Sequence, residues 1–295
     1  MIGSLQMSAQ RDALFSQYMF NKLLLNPAYA GSKEVLAIDI LNRYQWVGID
    51  GAPQTLTFAA HTALRNRKIG LGIYAYRDVL GPLSNSGFMG TYSYRLIMDK
   101  SRILSFGIQI GLRMTNFSWL EGYTQQVDPN FEEEQRLTPD ANFGIYYTTS
   151  KFFVGLSSKQ LFESMYGKVR SDVNLTYMRF SRHFYGMGGF VFPLSEDFAL
   201  RPSILAKYVY GAPVQMDFNV SMVYKDRFWV GLSYRTEEAV VLLTEFRLAR
   251  YLRIGYSFDM YLNELQMHNK GTHEIRLGFD FELFQPRMLT PRYFF

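Results

Sequence analysis

From Glu34 onward, apolar and polar residues alternate with a period of two, the signature of strands whose two faces meet different surroundings. In 214–224, Val214, Met216, Phe218, Val220, Met222 and Tyr224 alternate with Gln215, Asp217, Asn219, Ser221 and Val223. The wet face recurs as Ser105, Gly107, Gln109, Gly111 and Arg113, as Arg253, Gly255, Ser257 and Asp259, and as Arg276, Gly278, Asp280 and Glu282. A helix, with 3.6 residues per turn, does not produce this pattern. The alternation predicts an all-β chain of about fourteen strands, at roughly 34–47, 53–64, 68–78, 86–98, 102–117, 140–149, 151–160, 178–193, 197–210, 213–225, 227–236, 238–247, 250–260 and 272–284.

The connections have a parity. Those after even strands are tight and polar, at 65–67, 99–101, 149–150, 195–197, 226 and 249–250, whereas the long ones, 118–139, 161–177 and 261–271, follow odd strands. Short turns at one end and long loops at the other are the hairpin order of an outer-membrane β-barrel, whose turns face the periplasm. A soluble β-sandwich also alternates. Strands of about 11 to 16 residues exceed the usual five or six. Aromatics also gather near strand ends (Tyr44 and Trp46, Tyr208 and Tyr210, Phe228 and Trp229) as in interfacial girdles. Both features favour an antiparallel transmembrane barrel over 34–284.

Closure follows from a lipid exterior, since an open edge leaves peptide groups unbonded in hydrocarbon. The wet face then lines a lumen holding Asp39, Arg43, Arg113, Arg201, Lys207, Asp217, Arg235, Glu245, Arg253, Asp259, Arg276, Asp280 and Glu282, interspersed with glycines. Packing of the lumen is the first reading of those charges and a conduction path the second.

One stretch fits no period: 15–31, FSQYMFNKLLLNPAYAG. An even strand count puts both chain ends on the short-turn side, in the periplasm, so 11–33 is a periplasmic or lumenal segment. Its residues Phe15, Gln17, Tyr18, Phe20, Asn21, Asn26, Pro27 and Tyr29 are candidates either for plugging the lumen or for docking a partner. A plug would have to pair Gln17, Asn21 and Asn26 with the wall. Residues 1–10 lack the basic start and long apolar core of a complete secretory signal and read as the remnant of one; 285–295 reads as a tail beyond the barrel.

Composition narrows the chemistry. No apolar run approaches the roughly 18 residues of a spanning helix. The chain has no cysteine, so disulfides, thiol nucleophiles and thiolate metal sites are excluded. A net charge of +5 is spread over strands and turns, without the basic tract of a nucleic-acid binder. His268 and His273 lack a carboxylate at metal spacing, His61 and His183 lack an obvious catalytic partner, and Glu132 to Glu134 read as a solvated run. No enzyme, cofactor or metal is expected.

Two connections share the words Gly-Ala-Pro, at Gly51 to Pro53 and Gly211 to Pro213, each before a new strand. Glycine allows the positive φ of a tight reversal, and proline suits a position that needs no ladder donor. With Trp46 they form a candidate outer-loop motif.

With FSQYMFN (15–21), NPAYAGS (26–32), QWVGIDGAP (45–53), KYVYGAPVQMDFN (207–219), FWVGLSYR (228–235), LRIGYSFD (252–259) and HEIRLGFDF (273–281), these words resemble the PorP/SprF family of outer-membrane proteins of the type IX secretion system. The resemblance implies a non-enzymatic barrel acting as partner or anchor for the periplasmic ring and motor proteins, for a secreted surface protein such as an adhesin used in gliding, or for both. A small-molecule channel is the alternative. Separately, 276–283 resembles the signal by which the barrel-assembly machinery recognises a last strand, carried by Gly278, Phe281 and Leu283.

Overall fold

A computed structural model describes residues 15–99, 101–117, 134–163, 165–170, 175–179 and 181–283. The expected signal-peptide remnant (1–10), the C-terminal tail (285–295) and the Glu132–Glu133 part of the acidic run lie outside them. Fourteen antiparallel strands form the wall: β1 Leu36–Tyr44, β2 Gln54–Ala63, β3 Ile69–Leu80, β4 Leu83–Ile97, β5 Ile103–Phe117, β6 Glu134–Thr148, β7 Phe152–Lys159, β8 His183–Phe190, β9 Phe198–Val209, β10 Gln215–Tyr224, β11 Phe228–Arg235, β12 Ala239–Arg247, β13 Leu252–Tyr261 and β14 Thr272–Phe281. Each pairs with its neighbours in sequence, and β1 pairs with β14 from Leu36↔Phe281 to Tyr44↔His273, which closes the sheet. No ladder edge is left along the seam, as a sheet in hydrocarbon requires. A hairpin of Met165–Arg170 with Leu175–Arg179 stands within the β7–β8 connection.

The period of two is the inside–outside alternation of this wall. In β11, Trp229, Gly231, Ser233 and Arg235 point inward and Phe228, Val230, Leu232 and Tyr234 outward. Outward residues such as Leu56, Ile73, Phe88, Ile110, Val220 and Leu242 form the apolar belt. Eleven of the thirteen expected lumen charges are buried; Asp280 sits at the rim and Glu282 lies exposed past the end of β14. Trp229 is not a girdle residue, because Phe228 takes the outward place and parity turns the indole inward, where it is 1% exposed beneath the Arg247 guanidinium.

Several strand boundaries differ from expectation. β6 begins at Glu134, not 140, and carries Pro139 opposite Leu112. β7 reaches β6 only from Phe143 onward, so at Pro139 the strand has a neighbour on one side alone, where a missing N–H is tolerated. Only Gly81 and Pro82 separate β3 from β4, Gly81 taking a φ of +52°. The eighth strand starts at His183, because 175–179 belongs to the hairpin. The turn end carries the connections 64–68, 98–102, 149–151, 191–197, 225–227 and 248–251. In one of these turns, Asp99 accepts from the Ser101 and Arg102 N–H groups at 2.8 Å each and from Arg102 Nε at 2.5 Å. Those bonds, the Ser101 N–H foremost, hold its carboxyl well below the usual carboxylate range.

Candidate functional site

The aperiodic segment is inside the barrel. Every residue of 15–33 is buried, and two short 3₁₀ turns, Lys22–Leu24 and Pro27–Tyr29, replace strand or helix. Pro27 opens the second turn, and the Asn26 side chain caps it by accepting from Ala28 N at 2.9 Å. The path runs from the loop-end half of the lumen, where Ser16 meets Arg43, Asp259 and Glu274, to the turn end, where Lys33 faces Asp39 and Asp280. Phe15, Met19, Phe20, Leu23, Leu24 and Leu25 are each 4% exposed or less and supply much of the hydrophobic core. Full burial of such a side chain stabilises by about 1.5–3 kcal/mol.

One sector of the lumen wall, β1 with β10 to β14, is ionic. Toward the turn end, Arg276 bridges Asp39 and Glu245, Arg253 reaches Asp280 at 2.9 Å and Glu245 at 3.7 Å, and Lys33 of the segment lies 3.7 Å from Asp280 and 3.9 Å from Asp39. Gly278 is the seat of this cluster, since a Cβ there would stand 2.9 Å from Arg276 Nη2 and 3.2 Å from Asp39 Oδ1. Toward the loop end, two guanidinium groups face four carboxylates: Arg43 with Asp259 (3.1 Å) and Glu274 (2.5 Å), and Arg235 with Asp217 (3.1 Å), Asp259 (3.5 Å) and Glu238 (3.6 Å). The segment supplies the missing donors: Ser16 N and Gln17 N donate to Glu274 at 2.7 and 3.0 Å, and Ser16 Oγ to Asp259 at 2.7 Å.

The opposite sector, β2 to β8, receives the segment with glycines, hydroxyls and aromatic rings. Gly107 and Gly144 are cross-strand partners. A Cβ on Gly107 would overlap the backbone of Pro27 and Ala28, one on Gly144 the Asn26 side chain, and one on Gly70 the Ala30 carbonyl. Asn26 Nδ2 donates to the carbonyls of Ile145 and Leu156 at 3.0 and 3.2 Å; Ser157 Oγ donates to Leu25 O at 2.7 Å and Ser93 Oγ to Ala28 O at 3.2 Å. Tyr29 meets Tyr146 and His61 edge-on at 5.5 and 5.4 Å, while Gly31 N donates to His61 Nδ1 at 3.1 Å. Thus His61 is an acceptor for the segment.

The candidate residues Phe15, Gln17, Tyr18, Phe20, Asn21, Asn26, Pro27 and Tyr29 are therefore brought together in the lumen. Gln17 and Asn26 pair with the wall, as a plug requires. Asn21 does not: its amide has no hydrogen-bond partner among the described residues. Three groups escaped the sequence reading. Glu274 lies one inward step before Arg276 and was legible from parity; Tyr146 and Phe153, stacked at 5.8 Å, carried no signal beyond it. Gly51 and Gly211 both take positive φ, +71° and +82°, and Pro53 O accepts from Gln45 N at 2.9 Å. Trp46 sits in the same loop against Tyr261, and Pro213 stands two residues before β10. Phe281 and Leu283 are exposed at the turn end.

No curated protein matches the chain. Among solved structures it is similar to the CymD monoaromatic hydrocarbon channel (14% identical over 90% of this chain and 92% of that one, TM-score 0.49). It is also similar to a Pseudomonas aeruginosa FadL homologue (11%, 90% and 94%, TM-score 0.48) and to the KdgM porin (10%, 83% and 99%, TM-score 0.42). The model of the type IX secretion system membrane protein PorP/SprF family matches residues 7–279, across both the wall and the segment that fills it, and the chain belongs to that family.

Proposed function

We propose that this outer-membrane barrel is a plugged, non-enzymatic scaffold of the type IX secretion system. Its turn end faces the periplasm and anchors ring or motor proteins, its loops meet a secreted surface protein, and lipid surrounds its apolar belt. The observation that carries the reading is the lumen filled by 15–33, which leaves an ionic wall spent on internal pairing and on the segment. A partner reaches Phe15 to Tyr29 only once the segment has been withdrawn, because each candidate there is buried. In this reading Lys33, where the segment leaves the lumen, and the end of β14 lie on the periplasmic side, and Gly278, Phe281 and Leu283 serve assembly of the last strand.

Planar-bilayer recording tests it. The intact protein should be silent, and deletion of 15–33 should give a steady conductance. A large steady conductance from the intact protein would instead support the small-molecule channel. Photo-crosslinkers at Ser195 and Tyr210 in intact cells should capture periplasmic machinery and a surface protein respectively.

A further inference from the structure

At the turn end a cavity of about 620 Å³ opens beside the point where the segment leaves the lumen. It is bounded by that exit, by the turns 225–227 and 248–250, and by the end of β14. Part of its charge is committed: Lys225 pairs with Asp197 at 3.5 Å, and Asp280 is held by Arg253 at 2.9 Å. Arg227, Arg247 and Arg250 make no ion pair within 4 Å among the described residues, although all three line the cavity. Arg247 Nε is buried without a hydrogen-bond partner, its guanidinium lying 5.4 Å from the Trp229 ring. Lys33, 2% exposed, forms no hydrogen bond and only the two long ion pairs already described. Besides Asp280, two further lining carboxylates stand against these cations, Asp226 and Glu282, and Asp226 Oδ1 is buried without a donor.

This is a site with spare guanidinium forks and one spare acceptor. Carboxylates satisfy the forks in bidentate fashion, and a backbone N–H satisfies Asp226. One molecule that carries both is a peptide with acidic side chains. The residues that follow Leu283 are a poor match, since 284–295 contains Arg287 and Arg292 and no Asp or Glu. The cavity's rim includes the outward-facing Phe246 and Leu248, yet its cations reach inward to Lys33, inside the ring of strands, which favours a peptide over a phospholipid headgroup. We propose that this cavity receives an acidic peptide segment of a periplasmic protein, so that the machinery grips the barrel beside the root of its plug. The inference rests on the reading that the turn end faces the periplasm.

The purified full-length protein is titrated with fluorescein-labelled hexaglutamate and followed by anisotropy. Binding is expected, weakened at least about tenfold in R227Q/R250Q and by about 0.5 M salt, and absent for hexalysine. Both arginines lie on turns, and heat-modifiable gel migration reports whether the variant barrel has folded. K151Q, on the turn 149–151 and outside the cavity lining, serves as the matched control and should bind within about twofold of the parent. The proposal is overturned if the parent does not bind, if R227Q/R250Q binds as the parent does, or if nanodiscs containing phosphatidylglycerol displace the peptide while phosphatidylcholine nanodiscs do not, which assigns the cavity to anionic lipid. Orientation is read separately. The chain has no cysteine, so E196C provides a single site for a membrane-impermeant maleimide. Labelling in intact cells would refute the periplasmic placement and leave the binding result standing.

Discussion

The two sectors of the lumen wall hold the same segment by different physics. In β1 and β10 to β14, charges are mostly consumed within the wall, and the segment completes the pairing through Ser16, Gln17 and Lys33. In β2 to β8 the wall is cut away by glycine, and the segment's backbone and rings fill the relief. The ionic sector would keep most of its pairs with the segment gone; the glycine sector would be left hollow. The stability of the wall therefore belongs chiefly to one side of the barrel and the closure of its lumen to the other.

The largest test of that division is Gly107→Val. Its side chain would take the space of the Pro27 and Ala28 backbone, so the segment should be expelled and steady conductance should appear, with heat-modifiable migration intact. Gly231→Val is the counterpart in the ionic sector, where the atoms nearest to a Cβ belong to Ser221 and Val220 of the wall; it should stay silent. A silent Gly107→Val barrel would mean that the segment is not seated on that glycine.

Arg276→Met should do the reverse. It removes the close partner of the buried Asp39 and Glu245 carboxylates, leaving them only Lys33 at 3.9 Å and Arg253 at 3.7 Å, and breaking such a pair costs about 3–5 kcal/mol, read as a lower urea midpoint for unfolding from lipid vesicles. Toward the segment, Arg276 offers a long 3.5 Å hydrogen bond to Phe20 O and a guanidinium 5.4 Å from the Phe20 ring, both weak beside its carboxylate pairs, so conductance should change little. A destabilisation below about 1 kcal/mol would place the ion ladder among the dispensable interactions.

This contrast also explains what the sequence reveals. Strand count, parity and the inward charges are legible because one period of two governs them all; Val214 to Tyr224 alone shows the rule. The glycines are legible as inward residues, but not as a mould, because their purpose lies in a segment more than seventy residues away in sequence from Gly107. The burial of Phe15 to Tyr29 follows from their apolarity, while the choice between plug and docking surface needed the opposite wall: Tyr146, Phe153 and Met187 supply an apolar bed that a reading of charge and glycine alone leaves out. Boundaries failed where a local breaker was overruled by context, as at Pro139, whose missing N–H faces no partner strand.

Within the glycine sector Asn26 is the main polar anchor. Asn26→Leu removes two donors to wall carbonyls and the cap on Ala28, so docking should weaken by about 3 kcal/mol. Single-channel recording should then show brief openings at roughly a hundredfold higher frequency, since each 1.4 kcal/mol is a factor of ten. No change in opening frequency would show that apolar packing alone seats the turn.

A finer measurement compares one hydroxyl from each side. Ser16 Oγ donates to the Asp259 carboxylate at 2.7 Å and accepts from Arg43 and Arg235 at 3.3 Å, whereas Ser157 Oγ donates to the neutral Leu25 carbonyl at 2.7 Å. Hydrogen bonds to charged groups are about twice as strong as neutral ones. Ser16→Ala should therefore cost the docked state about 2 kcal/mol and Ser157→Ala about 1 kcal/mol, both read from the ratio of closed to open time in the same bilayer. Added salt should leave the difference intact, because these groups are buried and salt screens buried pairs weakly. If the two substitutions weaken closure equally, the carboxylates at the loop end are satisfied by their arginines alone, and the ionic sector contributes nothing specific to holding the segment.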